Sequence, residues 1–129
     1  MSIEKTIGTS VEVTLGNEKH VVEKLALGRY AQLLLALKNL PTGALKEMQS
    51  IDTENEEESI QAIIGLIGSS WGSVLEIIAI GSGIEKDRIE NDSSIGLDGG
   101  IALFVAIFEV NNLQGVVKQV KNLFNRPTA

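Results

Sequence analysis

Cysteine is absent from this chain of 129 residues. That excludes disulfides, thiolate metal sites and cysteine nucleophiles, and it suits a reducing compartment. Histidine occurs once, as His20. Zinc usually takes three or four nitrogen, sulfur or carboxylate ligands, and a catalytic imidazole needs partners. A single histidine on a strand among valines therefore reads as a cross-strand packing residue, and neither a metal nor a cofactor is expected. Aromatic residues number five, so a core must be built from isoleucine, leucine and valine. The two prolines, Pro41 and Pro127, act as helix stops. No secretory signal is expected, because no apolar run follows the charges of Met1-Ser-Ile-Glu-Lys-Thr, and the simplest location is cytoplasmic.

What is present is a chain of one-domain size, long enough to bury a real core. Its most apolar stretch is Ile101–Val110, in which nine of ten residues are apolar and Phe104 and Phe108 stand one helical turn apart. A membrane span needs about 20 such residues, so this is a core helix with neighbours on several faces. Asp98 is the expected N-cap.

The net charge of −6 is unevenly spread. Residues 1–50 are close to neutral, residues 51–60 carry −5, residues 61–112 carry −5, and the last 17 carry +3 from Lys118, Lys121 and Arg126. Nucleic-acid binding calls for a basic face that displaces counterions, which three charges on a short tail do not make. Neither a nucleic-acid nor a membrane partner is expected.

Along the chain, residues 1–10 are polar and expected to be loosely held. Val11-Glu12-Val13-Thr14-Leu15 alternates with period two, and Gly16-Asn17 suits a type II′ turn. Residues 11–24 thus form a β-hairpin with Val11, Val13, Leu15, His20 and Val22 on one face. A lone hairpin is marginal in water, so it must pack on helices, pair with further strands or pair with a second copy.

Residues 25–124 read as about five or six short helices. Leu27, Tyr30, Leu33, Leu34 and Leu37 make a helical stripe ended by Pro41, and Ala44–Gln49 a short helix entered through Thr42. In residues 51–59 the acidic run suits a first helical turn, with Thr53 and Glu56 as a capping box. Ile60, Ile63, Ile64 and Ile67 follow as a stripe. A break is expected near Ser69–Gly72, a second piece over Val74–Ile80, and a stop at Gly81-Ser82-Gly83. One or two turns at Ile84–Glu90 and a turn at Asn91–Ser94 lead into the core helix, which breaks at Asn111-Asn112. A last helix spans Leu113–Phe124, and residues 125–129 are a tail. The fold class is α+β, mainly α, in a single domain.

No active-site constellation emerges. Asp87–Asp92 lacks the spacing, glycine and closing glutamate of a calcium loop. The glycines at 81–83 and 96–100 make neither a phosphate loop nor a dinucleotide fingerprint. The run Glu54–Glu58 is a solvated face, and Ser69, Ser70 and Ser73 have no base beside them. The reading is non-enzymatic. Trp71 is either core or a partner anchor. Candidate oligomer or partner surfaces are the hairpin residues Val11, Val13, Leu15 and Val22, and the C-terminal stripe Val116, Val117, Val120 and Phe124, which suits a partner helix or a flap on the core helix.

Three segments resemble the tail assembly chaperones of long-tailed bacteriophages and prophages. They are Val11-Glu-Val-Thr-Leu-Gly-Asn-Glu-Lys-His-Val-Val with the leucine-rich helix after it, Val74-Leu-Glu-Ile-Ile-Ala-Ile-Gly-Ser-Gly-Ile, and Ile107-Phe-Glu-Val-Asn-Asn. One departure is His20, where the family more often carries an aromatic residue. The resemblance implies a protein that binds the hydrophobic tape measure protein, keeps it soluble and leaves as tail tube protein polymerises. It also implies a homo-oligomer, and in many phages a longer frameshifted form. Rival readings are another structural or connector protein of the phage, or a small regulatory adaptor.

Overall fold

A computed structural model describes residues 3–5, 10–48, 56–113 and 115. Its elements are β1 (Ile3–Lys5), β2 (Ser10–Leu15), β3 (Glu18–Glu23), α1 (Leu27–Lys38), α2 (Thr42–Met48), α3 (Glu56–Ser69), α4 (Trp71–Ser82), α5 (Lys86–Asn91) and α6 (Gly96–Val110). The fold is α+β and mainly α, with the expected N-terminal hairpin ahead of six helices.

The hairpin forms in the register that alternation and turn dictate, with Leu15 opposite Glu18, Val13 opposite His20 and Val11 opposite Val22. Gly16 has φ +63° and Asn17 is not left-handed, the sign pattern of a type II′ turn. The expectation of a loosely held N-terminus is corrected at Ile3–Lys5, which pairs antiparallel with β2 and makes the sheet three-stranded in the order β1-β2-β3. Backbone groups on the far side of β2 need partners too, and a short third strand supplies them.

α6 lies at the centre. Every residue from Ile101 to Phe108 is buried, beneath β2, β3, α3 and α4. The Phe104 and Phe108 rings stack with centroids 5.0 Å apart. Asp98 is not the N-cap: Ile95 holds that position and Gly96, at φ +57°, turns the chain into the helix earlier. Asp98 instead sits in the first turn, where its charge still suits the helix dipole.

The remaining helices surround that centre. α1 buries Leu33, Ala36 and Leu37, while Leu27 is 84% exposed and so leaves the expected stripe. α3 buries Ser59, Ile63 and Leu66, and Ile64 turns outward. The isoleucine stripe thus marks the inward side only roughly: Leu66, outside it, is buried while Ile64, within it, is not, because the packed face is rotated from the stripe's centre. The break falls where glycine and serine cluster, and α3 and α4 meet at 117°. Gly83, left-handed at φ +77°, stops α4 and donates its N–H to Ala79 O at 3.0 Å. Among the described residues no single helix is long and apolar enough to cross a membrane. The capping box at Thr53, the C-terminal helix beyond residue 115 and the tail lie outside the described residues.

Candidate functional site

Val11, Val13, Leu15 and Val22, the hairpin's candidate partner surface, lie in the core. Val13 and Val22 have no exposure at all. The physical reason is α6: a helix apolar on every side must be covered, and four aliphatic side chains on one sheet face are the cover within reach. Each is worth about 2 kcal/mol buried rather than bare. These residues are therefore corrected from interface to core. The second candidate surface, Val116, Val117, Val120 and Phe124, lies outside the described residues.

His20 is a structural tie. Its Nε2 lies 2.8 Å from the carbonyl oxygen of Ser82, and since a carbonyl only accepts, Nε2 carries the proton of that bond. Ser82 in turn donates its hydroxyl to Ile78 O at 2.6 Å and accepts the N–H of Ile84 at 3.1 Å. The imidazole thus pins β3 to the end of α4. Arg29 does the same for α1, donating to Ile80 O at 2.8 Å at the negative end of α4.

Two open apolar grooves flank α4. One, of about 410 Å³, runs between α1 and α4 and is lined by Leu35, Ala36, Gly72 and Ile80 together with Gln32, Asn39, Ser73 and Glu76. Leu35 is 57% exposed there. The other, of about 360 Å³, has Ile67, Trp71, Ile78, Ile89 and Leu97 on its walls and Glu90, Asn91 and Asp92 at one side. Leu97 is 54% exposed. Trp71 is half-buried between the two readings left open for it, packing on the core while its indole N–H donates to Glu90 at 3.1 Å.

The grooves hold no convergent ionisable set. A polar cluster beside the second groove centres on Asp92, whose carboxylate accepts from Ser94 hydroxyl (2.6 Å) and N–H (2.9 Å) and from Arg88 (3.2 Å). The Ser94 donors above all, then Arg88, hold Asp92 below the usual carboxylate range. Arg88 also grips Glu18 at 2.6 Å, joining α5 to the hairpin turn. Every member is satisfied by another, so the cluster is a clasp. Among the described residues no group of three or more metal-binding side chains converges, and every buried side-chain nitrogen or oxygen has a partner.

Leu35 and Leu97 went unnoticed in the sequence because each sits in a helix with a full apolar complement. Their exposure is decided by which helices do not cover them. No family model matches the chain, and no curated protein or solved structure matches it.

Proposed function

We propose that this protein is a phage tail assembly chaperone, which binds the tape measure protein and holds it soluble until the tail tube polymerises. It works by covering apolar surface in the host cytoplasm and transforms no substrate. The observation that carries the reading beyond the resemblance is the pair of grooves flanking α4, each with a leucine more than half exposed. A trough lined by both apolar and polar side chains suits an amphipathic client helix, read as anchors at helical spacing. A net charge of −6 keeps a protein with such troughs dispersed.

The test is to look for a tape measure gene beside this one and to co-express its product with this chain. The client should be soluble and co-purify with this chain, and should precipitate without it. Purified virions should lack the chain. Its presence there in fixed stoichiometry would make it a connector or minor tail protein, and salt-dependent retention of DNA in a gel shift would make it an adaptor.

A further inference from the structure

β3 is an edge strand, and its outward side carries a self-complementary pattern. Leu15 and Glu18 flank a two-residue turn, so the hydrogen-bonded pairs of the hairpin are Leu15–Glu18, Val13–His20 and Val11–Val22. The backbone groups of Lys19, Val21 and Glu23 are therefore directed away from β2. No other described strand lies beyond β3. The side chains of these same three residues stand on the sheet face opposite α6. Val21, 47% exposed, is one of the few large aliphatic residues left bare.

We infer that two copies of this chain pair antiparallel through β3 about a two-fold axis at Val21, forming one continuous six-stranded sheet. Only registers that align outward-directed backbone groups can form bonds, and among these the Val21-centred one uses all three residues. It sets Val21 against Val21 of the second copy, and Lys19 against Glu23 twice over. Registers centred on His20 or Val22 bring fewer outward residues together and set no lysine against a glutamate. Lys19 already pairs with Glu12 on β2 at 3.2 Å, so the dimer would extend this to a Glu12–Lys19–Glu23 line across each half of the junction. Opposite charges facing each other across strands stabilise pairing, and like charges oppose it. Self-association at this edge stands apart from the client reading, since the grooves flanking α4 are built from helices.

The test is light scattering on the full chain after size exclusion, over a concentration series. The expected mass is twice 13.8 kDa. Val21→Pro removes an outward N–H and no β2–β3 bond, so it should give the single-chain mass with unchanged circular dichroism. K19E or E23K alone places like charges opposite each other twice and should weaken the dimer about tenfold, while the E12K/K19E/E23K exchange, which keeps the pair to β2 as well as the pair across the junction, restores it. Because the chain has no cysteine, Val21→Cys should be joined by a short bifunctional thiol reagent and Thr14→Cys should not. A single-chain mass at every concentration overturns the inference. So does a dimer indifferent to the single charge reversals, or one that the triple exchange fails to restore. If Val21→Pro unfolds the chain, the charge series and the cross-link decide. Failure of any of these leaves client binding free to succeed, and the reverse also holds.

Discussion

A Cβ placed on Gly81 would lie 2.6 Å from Ile107 Cδ1 and 2.7 Å from both of its γ-carbons. α4 and α6 cross here with no room for a side chain, and because all three branch atoms are close, no rotation of Ile107 clears the space. Gly81→Ala should destabilise the fold by about 1–3 kcal/mol through overpacking, after any gain in helix propensity. Ile107→Ala empties the same spot and should cost about 2–5 kcal/mol alone. In the double variant the alanine at 81 no longer clashes, so urea unfolding should show a loss smaller than the two singles together. Additive losses would mean the two residues do not share that space.

Asn111 closes the core at the far end of α6. It is buried, its side-chain oxygen accepts the N–H of Leu25 at 3.0 Å, and its amide nitrogen donates to Ile107 O at 3.1 Å. Asn111→Leu would leave the Leu25 N–H without an acceptor where the chain passes from β3 to α1, and should cost about 1–3 kcal/mol. A loss below a few tenths in a denaturant titration would show that solvent reaches that N–H.

Tyr30 reaches the same corner, donating its hydroxyl to the Asn111 carbonyl at 3.2 Å. Burial pushes its phenol above its ordinary value. A folded pKa raised above the unfolded one gives stability that is whole below the unfolded value of about 10 and is lost as pH rises through the folded one. Thermal melts in the alkaline range should therefore converge between the native chain and Tyr30→Phe, with the native chain ahead at neutral pH. A phenolate absorbance titration should place the midpoint above that of free tyrosine.

Much of this architecture could be read from the residues, and what could not has a physical cause. The alternation of Val11 to Leu15 set the strand and its register, since a one-residue slip would turn every valine to solvent. Glycine clusters marked the ends of α3 and α4 because interrupted helices need them there. The inward face of α3 was legible only in part: Ile60, Ile63, Ile64 and Ile67 share one stripe, but the buried face is rotated from its centre toward Ser59 and Leu66, where α2 packs with Glu47 so close to Gly65 that a Cβ would lie 2.9 Å from its carboxylate. β1 was missed because three residues carry too little pattern to count. The grooves flanking α4 depend on where five helices, α1 and α3 to α6, stop covering one another, and no local signal encodes that.

Asp92 makes an acid-side prediction. Its carboxyl is held low by Ser94 first and Arg88 second, so its share of stability is whole above the unfolded value of about 3.9 and is lost as pH falls through the lower folded value. Asp92→Asn should lower the melting temperature at neutral pH, and the gap from the native chain should close on acidification. Parallel curves from neutral to strongly acidic solution would assign the clasp's effect to some other group.

Val13 and Leu35 together separate a folding role from a client role. Val13 is fully buried under α6, and an aspartate there would strand a charge with no partner at a cost of several kcal/mol, a large part of an ordinary domain's stability of about 5–15 kcal/mol. Val13→Asp should therefore abolish cooperative unfolding, where a residue serving only an interface would leave a folded single chain. Leu35 and Leu97 are more than half exposed, so serine at either should change stability by no more than about 0.5 kcal/mol. On the chaperone reading the same serines should lower the amount of tape measure protein kept soluble in co-expression, with the double variant lower than either single. Full solubilisation by a folded Leu35→Ser/Leu97→Ser double variant would move the client surface away from α4.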